Sequence, residues 1–358
     1  MDRYHRHIIL SEIGQIGQDK LNRSKVLVVG AGGLGCPILQ YLTAAGVGTI
    51  GIMDFDVVDV SNLQRQVLYG TSSLGMNKAE AAKQRLSDLN PTIEIHVYTE
   101  GLLPTNAFSV FSKYDIIVDG TDNFGSRYLI NDAAVLTDKP VVYGAIYKFE
   151  GQIAVFNYQN GPTYRCLFPN PPKDDQVPNC AEVGVLGVLP GIIGSMQANE
   201  VLKIILGFNS VCSGKMLCYS AQSGETTFIE LPRSETDIKK IKSNPDILSN
   251  TNYDIDCSLN NDEISFEALS DLDNIQFLDV RELQERPIIE MDNCIQIPLA
   301  QLTEESHRID STKKTIVFCQ SGIRSLKAIE ILKALKITNC KSLKHGVLEF
   351  KDQLKNTF

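Results

Sequence analysis

Three groups of residues in this chain have the types and spacings that do chemistry. The first is Gly30-Ala31-Gly32-Gly33-Leu34-Gly35, which follows a β-branched run and opens a helical pattern. Backbone N–H groups at such a turn, with the positive end of the helix behind them, form an anion site, and the glycines let a phosphate come close. Asp54 ends the next strand, where a ribose hydroxyl would lie. Taken alone this is a generic nucleotide fingerprint whose ordinary ligand is NAD or FAD. The neighbours change the reading. Asn62 and Arg65, within Ser61-Asn62-Leu63-Gln64-Arg65-Gln66, and Lys78 beyond them can clamp a triphosphate tail, for which a dinucleotide has little use. Asp122, in Asp119-Gly120-Thr121-Asp122-Asn123, ends a further strand on the same side and suits Mg²⁺ or a base pocket. ATP fits this set better than NAD.

The other two groups are thiols. Cys319 stands at the end of an apolar strand in Phe318-Cys319-Gln320-Ser321-Gly322-Ile323-Arg324, and Arg324 opens the next helix. Loop amides, helix dipole and guanidinium all stabilise an anion carried on the sulfur. A cysteine, a short loop and an arginine also describe a phosphatase, but four intervening residues make a tighter ring and favour a persulfide. Cys180, in Pro178-Asn179-Cys180-Ala181-Glu182, precedes a long helix whose dipole favours its thiolate. Cys36 lies inside the first helix of the glycine-rich unit and is expected to be core filler.

These residues need elements to hold them. Lys25 to Val29, the glycine turn, a helical stretch and Thr49 to Asp54 make a βαβ unit, hence a parallel sheet. Strands follow at 93–98, 116–119 and 141–144, with helices at 78–89 and 127–136, and the pattern is a doubly wound, Rossmann-like α/β domain. Later strands at 152–157, 216–218 and 227–231 bracket a proline-rich loop from Pro169 to Pro178 and a long glycine-containing helix ending near Leu206. The domain is expected to span 1–232. Residues 233–262, polar and poor in periodic apolar positions, read as a linker. A small α/β domain over 263–358 holds strands at 276–279 and 315–318 and a helix at 324–335.

Composition agrees with two soluble domains: 358 residues, 43% hydrophobic and 22% charged. With 34 Lys+Arg against 43 Asp+Glu the net charge is -9, which disfavours any broad grip on nucleic acid or anionic membrane. The polar start carries no apolar signal segment, and the run from Val183 to Met196 is broken by glycines and Pro190. A cytoplasmic location is expected, with all nine cysteines reduced.

The first domain resembles the MoeB/ThiF family, the ubiquitin-activating-enzyme-like adenylyltransferases that act on sulfur-carrier proteins. The likeness rests on Arg3 to Leu10, the GxGGLG turn, Asp54-Phe55-Asp56, Ser61 to Gln66, Lys78, Thr121-Asp122-Asn123, Glu150-Gly151-Gln152 and Cys180 to Val185. It implies that Gly30, Gly32, Gly33, Gly35, Asp54 and Asn123 form the nucleotide site and that Asn62, Arg65 and Lys78 bind phosphates. It also implies that Asp122 positions Mg²⁺, that the chain is a homodimer in which Arg6 reaches the partner's phosphates, and that Cys180 can link transiently to the carrier. Family members commonly hold zinc between two CxxC pairs; here the first reads Thr163-Tyr164-Arg165-Cys166 and no CxxC follows Pro232, so no zinc is expected and Cys166 is structural. The second domain resembles a rhodanese, through Leu278-Asp279-Val280-Arg281-Glu282, the Cys319 loop and His345-Gly346-Val347, with Arg281 in a salt-bridging role.

Together the two resemblances imply a two-step enzyme. The first domain adenylates the C-terminal glycine of a ubiquitin-like carrier ending in Gly-Gly; the second delivers sulfur from a Cys319 persulfide, loaded by a cysteine desulfurase, to give a thiocarboxylate. A MoaD-like carrier, in molybdopterin synthesis, is the leading expectation, with ThiS-like (thiamin) and Urm1-like (tRNA thiolation) carriers as alternatives. An NAD-dependent oxidoreductase fused to a sulfurtransferase leaves Arg65, Lys78 and Asp122 without a purpose. A non-catalytic scaffold leaves Cys319 and Arg324 without one.

Overall fold

The computed structural model describes residues 3–171, 184–244, 246–253, 263–264, 266, 269, 274–289, 291, 293–320, 322–343 and 346–347. They fall into two units, Met1–Asp256 and Cys257–Phe358.

The first unit opens with helices α1 (His5–Ile8) and α2 (Gly14–Arg23). Strand β1 (Lys25–Val29) then leads to α3 (Gly35–Ala45), β2 (Thr49–Met53), α4 (Lys78–Leu89), β3 (Glu94–Tyr98), α5 (Pro104–Phe111), β4 (Ile116–Asp119), α6 (Phe124–Leu136) and β5 (Val141–Tyr147). Beyond these come β6 (Glu150–Phe156), α7 (Tyr164–Leu167), α8 (Leu189–Leu206), β7 (Lys215–Ser220) and β8 (Thr226–Glu230). The eight strands form one sheet in the order β3-β2-β1-β4-β5-β6-β7-β8. It is parallel from β3 to β5 and antiparallel from β5 to β8.

The alternation in β1 explains the two layers of helices. Val26 and Val28 pack with Ile38 and Leu42 of α3, Leu86 of α4 and Val201 of α8. Leu27 and Val29 point the other way, to Phe111 of α5 and Leu129 of α6. A strand buried on both faces has no polar side, which is why it reads as a continuous apolar run. Chain order reverses between β1 and β4, so their carboxyl ends bound the crevice where ligands of such sheets bind.

The stretch expected to be a linker is structured over its first part. Helices α9 (Glu235–Lys242) and α10 (Ile247–Asn250) belong to the first unit, with Ile238 and Ile241 buried against Val135 of α6. Two apolar residues three apart are too weak a period to read as a helix; packing supplies what the pattern lacks.

The second unit holds β9 (Glu263–Ile264), β10 (Ile275–Asp279), β11 (Cys294–Gln296), α11 (Leu302–Glu305), β12 (Lys314–Phe318), α12 (Ile323–Ala334) and β13 (Cys340–Leu343). Its sheet runs β11-β10-β12-β13-β9, all parallel. Leu278 and Val317 face Ile329 and Leu332 of α12, while Phe277 and Phe318 pack on the other side. No helix among the described residues is long and apolar enough to cross a membrane.

Candidate functional site

The glycine turn sits at the switch point, closed by two contacts that exclude a side chain. Gly30 has φ +93°, and a Cβ there would lie 2.7 Å from the carbonyl oxygen of Gly120 at the end of β4. At Gly35 a Cβ would lie 2.0 Å from the Gly30 oxygen. These two glycines shape the turn, whereas Gly32 and Gly33 are half-buried, and a Cβ at Gly32 would meet only Gln66 Nε2, at 3.6 Å. The Gly30 and Ala31 amides are spent on Met53 O and Asp54, and intrahelical bonding begins with the Cys36 amide donating to Gly32 O, 2.9 Å, so the amides between them can serve a ligand.

Asp54 is tied to this turn. Its Oδ2 accepts from the Ala31 amide at 2.7 Å and its Oδ1 from the Asp56 amide at 2.9 Å. Burial pushes its carboxyl above the usual range, opposed by the Ala31 amide and by the Lys78 ammonium. Lys78 is 7% exposed, and its Nζ pairs with Asp56 Oδ2 at 2.7 Å. The cap of α4 fixes that geometry: Asn77 Oδ1 accepts from the amides of Ala79 and Glu80, and its Nδ2 donates to the carbonyls of Asp54 and Asp56. The Tyr69 hydroxyl lies 2.8 Å from Ala31 O and 3.0 Å from Lys78 O, joining turn to helix.

Arg65 donates from Nη1 to Ser61 O at 3.1 Å, and its Cδ lies beside Gly33, so the side chain runs alongside the turn. Asn62 Oδ1 accepts from the Asp59 amide at 3.2 Å. Gln66 is buried beside Gly32, and its Oε1 has no hydrogen-bond partner among the described residues. A buried acceptor without a donor costs free energy unless a ligand or water supplies one. Pro190 of α8 covers Gly33, and Gly187 rests against Gln64.

Asp122 is exposed just past β4. Asn123 caps α6, its Oδ1 accepting from the Ser126 amide at 2.8 Å, so its carbonyl oxygen is committed to the helix. Behind them Asp119 is buried, held by the Thr121 amide and hydroxyl, with its carboxyl raised by burial and eased by Arg127. Arg127 donates to Thr121 O and stacks on Phe124 and Tyr143. Gln197 of α8 donates to Asp119 O and Val142 O.

Arg6 is exposed on α1. Its helix follows Tyr4, whose ring rests on Gly46, the C-cap of α3 and the end of that helix remote from the glycine turn. Within one chain Arg6 therefore does not join the site. Cys180 lies outside the described residues. Cys36 is fully buried with its thiol pushed up to about 12 by burial, as core filler should be.

The donors where the family's zinc would sit do not fit that metal. Cys166 Sγ lies 3.3 Å from Thr163 Oγ1 and accepts from the Ser234 amide at 3.2 Å, while Ser234 Oγ donates to Asp237 Oδ2 at 2.6 Å. One thiol, two hydroxyls and a carboxylate, joined to one another, make a hydrogen-bonded clasp and not a set of soft ligands. Among the described residues no three or more metal-ligating side chains gather anywhere. A search of the sequence for cysteine pairs overlooks Ser234-x-x-Asp237, which has the right spacing and the wrong chemistry.

In the second unit Cys319 is 1% exposed. Its sulfur accepts from the Gly322 amide at 3.2 Å and lies 3.7 Å from Ser325 Oγ, and its carbonyl accepts from the Val347 amide. Gly322, at φ +96°, turns the chain into α12. Arg324 grips Glu285. Arg281 is buried on Asp279, with Nη2 2.6 Å from Oδ2, and also donates to Pro287 O. Sequence reasoning finds Cys319, Arg324 and Arg281 but not Glu285, which lies 39 residues before Arg324.

Comparison with known proteins agrees with this geometry. The ThiF family model matches residues 4–240 and the Rhodanese-like domain model matches residues 264–353. The chain is 39% identical over 372 residues to the "Probable adenylyltransferase/sulfurtransferase MoeZ" of Mycobacterium tuberculosis, covering 98% of this chain and 93% of that protein. It is 53% identical over 226 residues to the "Sulfur carrier protein adenylyltransferase" of Thermus thermophilus, covering 62% and 83%. The "Probable molybdopterin-synthase adenylyltransferase" of Porphyra purpurea is 39% identical over 338 residues, covering 92% and 88%. Among solved structures, E. coli MccB with ATP superposes with a TM-score of 0.58 at 22% identity, over 65% of this chain and 72% of that one, a likeness of fold. From its glycine turn to its α9 clasp the chain belongs to the ThiF family, and it carries a C-terminal rhodanese-like domain.

Proposed function

We propose that the chain adenylates the C-terminal glycine of a ubiquitin-like sulfur-carrier protein and then converts it to a thiocarboxylate with sulfur carried on Cys319. The observation behind this reading is that one chain holds both a triphosphate-type cradle at a sheet switch point and a cysteine whose sulfur accepts a loop amide next to a guanidinium. The names of its relatives, which specify adenylyltransferase, sulfurtransferase and sulfur carrier, support the same chemistry.

In the first step the carrier's carboxylate attacks the α-phosphorus of ATP, and pyrophosphate leaves with the bond's electron pair. Both partners are anionic, so the barrier is largely charge repulsion. Arg65 and Lys78 are placed beside the turn to screen it, and Arg6 of a second copy completes the set. Gln66 Oε1 can accept a ligand hydroxyl. The residues present also suit Mg²⁺: Asp122 offers an exposed hard oxygen, and the ion supplies further neutralisation of the phosphates when bound.

In the second step the terminal sulfur of the Cys319 persulfide attacks the acyl carbon and AMP leaves. The resulting acyl disulfide is then cleaved by an external thiol reductant, which releases the thiocarboxylate and leaves a mixed disulfide on Cys319 that a second equivalent of the thiol reduces; Cys180 is the candidate for a transient link to the carrier. A cysteine desulfurase is the proposed persulfide source. A MoaD-like carrier is the preferred substrate, on the Ser61 to Gln66 and Cys180 to Val185 segments.

ATP–pyrophosphate exchange tests the reading, run without carrier, with a MoaD-like carrier and with a ThiS-like carrier, beside Asp122→Ala. Exchange that needs one carrier and disappears in the variant is the expected result. ATP binding without exchange under any condition would return the chain to a scaffold role.

A further inference from the structure

The charges around Cys319 are arranged in a way that sulfur transfer alone does not require. Arg324 meets Glu285 through two parallel bonds, Nη1 to Oε1 at 2.5 Å and Nη2 to Oε2 at 2.7 Å. The carboxylate is fixed from behind, since its Oε1 also accepts from the Glu282 amide at 2.9 Å. Arg324 holds the Glu285 carboxyl down at about 2, so the pair is fully ionised. The other nearby guanidinium, Arg281, is consumed by Asp279 and reaches the loop only at Gln320 Oε1, 3.5 Å away. Among the described residues, then, each cation flanking the loop has its own carboxylate; Cys319 Sγ accepts from the neutral Gly322 amide, and the guanidinium that also acts on it, that of Arg324, is the one paired with Glu285. Lys344 and His345 lie outside the described residues.

That balance sorts anions by charge. A persulfide carries one negative charge on one sulfur, which an amide and a partly neutralised guanidinium can hold. A dianionic oxyanion gains less from a cation that is already paired, and it meets the Glu285 carboxylate as well. We propose that Glu285 is a specificity-determining residue: by neutralising Arg324 it makes Cys319 a receiver of sulfur from weakly charged persulfide donors and turns away dianionic donors of the thiosulfate type. The inference rests on Cys319 being the sulfur-carrying residue. In the selected reaction the Cys319 thiolate attacks the outer sulfur of R–S–SH, the new S–S bond forms as the old one breaks, and R–S⁻ departs with the electron pair. With thiosulfate the same attack expels sulfite.

The test uses the full chain, with cysteine persulfide and thiosulfate as donors and cyanide as acceptor. Glu285→Gln is expected to raise kcat/KM for thiosulfate about tenfold or more while changing cysteine persulfide less than about threefold, and to let sulfate shield Cys319 from iodoacetamide. Glu285→Asp, which keeps the charge, should retain the wild-type ratio. If Glu285→Gln lowers both donors equally or leaves their ratio unchanged, Glu285 merely holds the arginine and the proposal fails. Shielding of wild-type Cys319 by millimolar sulfate would overturn it without any variant. Undiminished sulfur transfer by Cys319→Ala would instead remove the reading on which it rests.

Discussion

Asp54 shows how a proposed binding residue can work against the fold that holds it. Its buried carboxylate accepts two amides, yet burial still pushes its pKa up, so the charged form is costlier folded than unfolded. A folded pKa above the ordinary value contributes stability below about pH 4 and loses it as pH rises through the folded value. At pH 7 the charge is therefore a cost. Asp54→Asn keeps an acceptor for Ala31 but sets an NH2 donor against the Asp56 amide, so removal of the buried charge and loss of that bond offset each other and thermal stability is expected to stay within about 1 kcal/mol of the wild type. The same change should weaken ATP binding about tenfold, because a charge-assisted acceptor for the ribose is lost. Calorimetric unfolding beside a nucleotide titration checks both halves, and a clear loss of stability would contradict the argument. Asp54, Lys78, Arg65, Cys319 and Arg324 were legible because their motifs are local. Tyr69, Gln66 and Glu285 were not, since each acts across a contact that chain order does not show.

Among the elements, the β1–turn–α3 unit and the α7–α9 clasp fail in different ways. Gly30→Ala forces a left-handed residue to carry a Cβ 2.7 Å from Gly120 O, so β1 and β4 must part at their carboxyl ends. A loss of about 2 kcal/mol or more is expected in denaturant unfolding, with nucleotide binding impaired alongside. The clasp depends on hydrogen bonds. Ser234→Ala removes the N-cap of α9 and its bond to Asp237 and should cost about 1 kcal/mol. A chelator should leave the melting temperature of the wild-type protein unchanged; a fall on chelation would mean that a metal supports the fold after all. In sequence the α9 region reads as linker because its polar composition dominates its two buried isoleucines.

For the whole molecule, the position of Arg6 makes a prediction that one chain cannot satisfy. It is exposed on α1, by the end of α3 that faces away from the glycine turn. If a second copy carries it into the site, Arg6→Ala and Lys78→Ala are each inactive alone. Mixed in equal amounts under subunit exchange, they should recover about a quarter of the wild-type sites, since half the dimers are mixed and each has one intact site. No recovery, with exchange verified, would place Arg6 outside the chemistry. Legible from the chain alone were the pair of α/β units and the switch-point turn, because strand alternation and glycine spacing are local consequences of backbone geometry. Packing in three dimensions sets which glycines the turn cannot do without, that Ser234 and Asp237 meet Cys166, and that Glu285 pairs with Arg324. Those depend on which side chains come within a few ångströms of one another, and packing sets that distance.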